Sequence, residues 1–218
     1  MGLAVYVYAG AVRWPRENDP RMHSVTDEEL MLQVRDGAGE TLGVLFERYH
    51  APLYNFYTKL TGDRALSEDL VQEVFLRILR HRKTFRDGTP FRAWIYQIAR
   101  NARIDHFRKS RPQVPFEPEM APTVTPGDPA QQRQESELLH KALMELPEEK
   151  RELLVLCRFQ ELPYEDVARL VGCGVATVKV RIHRAMQELR EIFHQLQAAP
   201  AGSAQRAAAH NLPPRRMT

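Results

Sequence analysis

A chain of 218 residues, 43% hydrophobic and 27% charged, is too apolar for wholesale disorder and long enough for one or two small cores. Its formal net charge of +3 permits an anionic partner without demanding one, so the placement of charge has to decide. The only two cysteines, Cys157 and Cys173, form no CxxC pair, which argues against a disulfide framework or a zinc site and predicts two buried thiols.

Residues 1–23 read as an apolar or flexible extension. Gly2 to Val12 is apolar but lacks a basic flank and is too short to span a bilayer, so no membrane insertion and a cytoplasmic location are expected. Met22 stands just before a well-formed helix start, which makes it an alternative translation start to Met1.

Thr26 followed by Asp27, Glu28 and Glu29 has the pattern of a capping box, and the helix it opens should stop near Asp36 to Gly39. Leu42, Leu45, Phe46, Tyr49, Leu53, Phe56, Tyr57 and Leu60 continue at helical spacing until Gly62 and Asp63 break the pattern. From Ser67, the residues Leu70, Val71, Val74, Phe75, Ile78 and Leu79 predict a helix with a broad apolar stripe. After a turn at Asp87, Gly88 and Pro90, a further helix from Phe91 to about Ser110 should bury Trp94, Ile95, Ile98, Ala99 and Ala102.

Prolines at 112, 115, 118, 122, 126 and 129 then end helical order, and residues 112–131 read as an extended linker. Helical patterning returns over 132–197, and 198–218, rich in Ala, Pro and Arg, reads as a disordered tail. The expected architecture is all-α: two small helical domains, 24–111 and 132–197, joined by a proline-rich linker.

Within the second domain the stretch YEDVARLVGCGVATVKVRIHR, from Tyr164 to Arg184, fits a helix-turn-helix. Ala168 is small enough for close helix approach and Gly172 can take the positive φ of the turn. Val167, Val171, Val178 and Ile182 can lock the pair. The second helix then offers Thr177, Lys179, Val180, Arg181 and Arg184 to phosphates and base edges in a major groove. A second basic helix carries Arg100, Arg103, Arg108 and Lys109, so two nucleic-acid contacts are expected. On the Ser67 helix, Asp69, Gln72, Glu73 and Leu76 form a ridge opposite the apolar stripe.

Three blocks in fixed order carry a resemblance: DLVQEVFLRIL from Asp69, FRAWIYQIARNARIDHFRK from Phe91, and the helix-turn-helix. From about Glu28 to Phe193 the chain resembles the extracytoplasmic-function (ECF) sigma factor family of bacterial RNA polymerase, through regions two and four. The resemblance implies that Asp69, Gln72, Glu73 and Leu76 grip the clamp coiled coil of the largest polymerase subunit. It implies that the Phe85–Phe91 loop and a helix carrying Gln97, Arg100, Asn101, Arg103, Ile104 and Arg108 open and read the minus-ten promoter element. Thr177, Lys179, Val180, Arg181 and Arg184 would meet the minus-thirty-five element as duplex. Further implied partners are the flap of the second-largest subunit and an anti-sigma factor. At Val180 the family often has a small polar residue, so a hydrogen bond there would give way to contact with a thymine methyl or to nothing.

Catalysis finds little support. Asp105 and His106 are adjacent on a helix and diverge by about 100°, so they form no dyad by themselves. No HExxH, phosphate-binding glycine loop or paired metal-ligand motif is present, and neither a cofactor nor a metal is expected. The alternative reading is a stand-alone helix-turn-helix regulator whose first domain senses a signal or dimerises.

Overall fold

The structure, a computed structural model, describes residues 25–109 and 130–198. The amino-terminal extension with its Met1 or Met22 start, the linker as far as Pro129 and the carboxy-terminal tail lie outside the described residues. Among the described residues every regular element is helical: α1 (Asp27–Asp36), α2 (Thr41–Thr61), α3 (Arg64–His81), a 3₁₀ turn (Arg82–Thr84), α4 (Phe91–Lys109), α5 (Ala130–Glu145), α6 (Glu148–Leu154), a π-turn (Val155–Phe159), α7 (Tyr164–Val171) and α8 (Val175–Ala198).

The capping box is formed as expected. The Glu29 amide donates to Thr26 Oγ1 at 3.2 Å while the Thr26 amide donates to Glu29 Oε2 at 2.9 Å, satisfying two donors that the first turn leaves orphaned. Gly37 and Gly62 end α1 and α2 in the left-handed region. One boundary differs from expectation. Ser67 does not start α3; Asp63, read as a breaker, is also its cap, accepting from the Leu66 amide at 3.0 Å. Ser67 lies one turn inside, buried, with its hydroxyl donating to the Asp63 carbonyl.

The stripe on α3 is buried as its spacing requires: Leu70, Val71, Val74, Phe75 and Ile78 face the first domain's core. Opposite them stand Phe56 and Tyr57 of α2 and Phe91, Ile95 and Tyr96 of α4. The Tyr57 hydroxyl lies in this core and donates to the Ala99 carbonyl at 2.9 Å, so a buried polar group is satisfied. Trp94 is only partly buried, edge-on to Phe85 with centroids 5.1 Å apart, so it is a core residue at the rim. The α4 start is fixed from α1, where Glu28 Oε1 accepts from the Phe91 amide at 2.8 Å. Arg35 reaches Asp87 at 2.6 Å and ties the loop before α4 to the same helix.

In the second domain α5 and α6 pack on α8, and α7 crosses α8 at the turn. Leu143, Leu146, Leu153, Leu154, Val167, Val178, Ile182 and Leu189 fill its centre. Cys157 belongs to this core, where burial pushes its thiol up to about 11, while Cys173 is only half-buried. The two helical domains touch: α2 meets α5, α6 and the π-turn, and α4 meets α7, so apolar groups of both halves adjoin across the contact.

Candidate nucleic-acid and polymerase interfaces

The helix-turn-helix is built as its residues dictate. Gly172 closes α7 at φ 69°, with its amide donating to the Ala168 carbonyl. Val167, Ala168 and Leu170 from α7 and Val178, Ile182 and Ala185 from α8 are buried at the crossing. Val171, assigned to that lock from sequence, is half-buried, and Leu170 takes the inner position. The buried i, i+4 positions of α8 aim its other face outward. Thr177, Lys179, Val180, Arg181 and Arg184 are all exposed, Val180 by 51%, and Lys179 sits over the Tyr164 ring at 5.9 Å. Three cations and an exposed branched apolar group on one helix can neutralise phosphates and touch a base methyl.

On α3, Asp69, Gln72 and Leu76 are exposed and Glu73 is half-buried. Glu73 is not a free acid: Arg77 donates to it at 2.7 Å and Arg80 approaches at 3.8 Å. Leu76, 36% exposed, thus stands among polar neighbours as a large apolar group facing solvent, a combination suited to a protein contact.

The α4 face divides into two parts. Asn101 and Arg108 are exposed; Gln97 donates to Asn101 at 3.0 Å, and Arg108 pairs with Asp105 at 3.0 Å. Ile104 and Phe107 also face solvent, Phe107 by 49%. Asp105 is engaged as well by Arg77, whose hydrogen bond holds its carboxyl below the usual carboxylate range, so its role here is an ion pair.

Arg100 and Arg103 are not open to solvent in the way the sequence suggested. Arg103 is only 4% exposed, held by Glu148 at 2.6 Å and Glu152 at 3.2 Å. Arg100 donates to Glu152 at 3.2 Å and to the Leu170 carbonyl at 3.2 Å. Both guanidinium groups are therefore occupied by the second domain.

Around them lies a polar seam. Tyr96 donates to the Gln160 side chain, and Arg92 donates to the Gln160 carbonyl. Arg151 donates to the Leu60 carbonyl at 2.8 Å, and the His140 Nε2 lies 3.2 Å from the Thr58 carbonyl. A cleft of about 560 Å³ opens along the seam between Asn55, Lys59, Arg92, Tyr96 and Phe159. Sequence reasoning named none of Arg92, Tyr96, Glu148, Glu152 or Gln160 as functional. Glu148 and Glu152 carried the one available signal, acids at i and i+4 after Pro147, which reads equally as an ordinary solvated first turn.

Comparison with known proteins follows the same two blocks. The Sigma-70 region 2 profile matches residues 45–113 and the Sigma-70, region 4 profile matches residues 136–189. The ECF RNA polymerase sigma factor SigM of Bacillus subtilis is 30% identical over 71% of this chain and 96% of its own. The RNA polymerase sigma factor CarQ of Myxococcus xanthus is 32% identical over 77% of this chain and 97% of its own.

The chain belongs to the ECF sigma factors.

Its two helical domains are accordingly sigma regions two and four, and it directs promoter-specific initiation of transcription with core RNA polymerase. Among solved structures, the Bartonella quintana sigma factor RpoE, in a complex with the anti-sigma factor NepR, matches at 25% identity. The superposition has a TM-score of 0.56 and covers 69% of this chain and 94% of that one. CnrH, solved with the cytosolic domain of CnrY, shares the fold at TM-score 0.61 and 24% identity, over 78% of this chain and 97% of that one. Among the described residues of the sigma factor, no helix is long and apolar enough to cross a membrane, and no three His, Cys, Asp or Glu side chains could jointly hold a metal.

Proposed function

We propose that this sigma factor acts through three faces, none of them catalytic: the α3 ridge on polymerase, α4 with the Phe85–Phe91 loop on the melted minus-ten strand, and α8 on minus-thirty-five duplex. The observation that carries the reading is the α8 face, where Thr177, Lys179, Val180, Arg181 and Arg184 are all solvent-facing on a helix locked from behind. On α3, Asp69, Gln72 and Leu76 would meet the clamp coiled coil of the largest subunit, with Glu73 contributing in spite of its pairing with Arg77. Region four would also meet the flap of the second-largest subunit. On α4, Gln97 and Asn101 offer amides for base edges, and Arg100, Arg103 and Arg108 offer cations for phosphates. A protein with higher affinity for the open strand shifts the melting equilibrium by that difference, while the polymerase adds nucleotides. The protein works in the cytoplasm, and the complex that RpoE forms with the anti-sigma factor NepR supports an anti-sigma protein as a regulator here too.

The test is run-off transcription and footprinting with core polymerase. Arg181→Ala/Arg184→Ala should lose recruitment to duplex promoter, by about 1–3 kcal/mol for each contact that is bidentate to a base. Asn101→Ala/Arg108→Ala should keep recruitment but lose permanganate-reactive thymines, and a pre-melted bubble template should restore part of its activity. Bubble rescue of the α8 variant in place of the α4 variant would reverse the two assignments.

A further inference from the structure

We infer that region four is the internal occupant of the strand-reading face in the free sigma factor, held there by a latch of Arg100 and Arg103 against Glu148 and Glu152. The inference rests on the proposed role of α4, and it goes beyond that role by assigning an internal competitor for it.

The two arginines are cations that a nucleic-acid backbone would occupy, and the groups that hold them are carboxylates. A carboxylate offers a guanidinium the same paired anionic oxygens that a phosphate does, in the same planar fork geometry. Glu148 and Glu152 are one helical turn apart on α6, so both point from one ridge toward α4. Glu152 serves both arginines and is 6% exposed, so no phosphate can reach Arg103 while region four stays in place. Region four thus covers the inner half of α4 with an acidic surface of its own.

The occlusion is selective. In the same closed arrangement Thr177, Lys179, Val180, Arg181 and Arg184 on α8 remain exposed, as do Asp69, Gln72 and Leu76 on α3. Polymerase docking and duplex reading are therefore available to the closed chain, whereas full strand reading is not. The seam is also built to part. Arg103 Nε and Arg151 Nε, both at the seam, are the buried side-chain nitrogens without a hydrogen-bond partner among the described residues. Each buried donor left unpaired costs the closed arrangement free energy, which lowers the cost of opening it.

The latch is tested on the full chain, with dyes on cysteines introduced at Glu68 of α3 and Gln187 of α8, both exposed, in a Cys157→Ala/Cys173→Ser background. Single-molecule energy transfer should give one narrow distance for the free protein. Glu148→Gln/Glu152→Gln keeps side-chain shape, removes the charge, and should broaden the distribution toward longer distances. Gln160→Ala, which removes the hydrogen bond from Tyr96 without touching the ion pairs, should do so more weakly, and circular dichroism reports whether each variant stays helical.

In parallel, anisotropy with a short adenine- and thymine-rich single strand should show affinity rising about tenfold in the Glu148→Gln/Glu152→Gln variant. This is the factor expected when a competent state goes from about a tenth populated to dominant. Affinity for a minus-thirty-five duplex should stay within twofold. A broad distribution in the unmodified protein, or an unchanged narrow one in both helical variants, would overturn the latch. Opening without any gain for the single strand would overturn the masking of α4, whereas failure of the strand-reading role itself would appear separately, as loss of bubble rescue in the transcription assay.

Discussion

Val180 is the α8 residue whose chemistry is most particular. Its neighbours Lys179 and Arg181 can reach phosphates whatever the sequence, but an exposed branched apolar side chain gains only from an apolar group on the DNA. The thymine C5-methyl is that group in the major groove. Replacing thymines of the minus-thirty-five duplex one at a time by deoxyuridine should reveal one position where affinity falls about fourfold, the worth of roughly 0.8 kcal/mol for one buried methyl-sized group. In Val180→Ala that position should become insensitive, while Arg181→Ala should weaken binding and leave the sensitivity in place. Duplex titrations check this, and uniform insensitivity in the unmodified protein would remove Val180 from the reading set.

At the scale of the element, the helix-turn-helix depends on Gly172. Its φ of 69° is left-handed, and a Cβ added there would meet nothing within 4 Å, so substitution costs conformational strain alone. Gly172→Ala should lower stability by about 1–2 kcal/mol, with Gly172→Asn recovering part because asparagine tolerates that region better. Urea denaturation followed by circular dichroism measures both. This element was legible in the sequence because local rules determine it: one small residue, one glycine and apolar groups three and four apart. The Thr26 box was legible for the same reason. The start of α3 was misread because Asp63 is both a breaker and a cap, and the pattern of Asp63 followed by an apolar helix admits either reading. The ridge was legible only in part, since nothing in local spacing distinguishes a free Glu73 from one held by Arg77.

The arrangement of the whole molecule was the least legible. Arg100 and Arg103 look alike as ligands for phosphate or for carboxylate, and their partners lie some fifty residues further on, beyond a proline-rich stretch that suggests separation. Pairings of that range leave no periodic mark on either segment.

The seam also makes closure depend on pH. His140 Nε2 faces the Thr58 carbonyl and so carries a proton as donor in the neutral ring. Burial first, then Lys59 of α2, Arg151 of α6 and Arg64 of α3, hold its second protonation below the ordinary value near 6.5. The closed state therefore binds fewer protons at this site than the open one. The sign follows: closure is fully favoured above about pH 6.5, the ordinary imidazole value, and weakens as pH falls below it, by no more than about tenfold in the equilibrium per pH unit. Energy transfer between the Glu68 and Gln187 labels should show the open fraction growing over that range, and His140→Gln should flatten the change.

The π-turn at Val155–Phe159 sets the angular phase between the two ends of this contact. Glu152 and Gln160 both address α4, yet eight residues of uninterrupted α-helix would rotate one from the other by about 80° beyond two full turns. One extra residue in the turn, marked by the Gln160 amide donating to the Val155 carbonyl at 2.9 Å, brings them back to within about 20° of a common line. Insertions and deletions along this stretch thus act like gears out of mesh. A single-residue deletion would preserve composition, charge and helicity almost unchanged and still turn Gln160 away from Tyr96. Relatives that differ by one residue here are expected to share both domains with this protein and not the way they close.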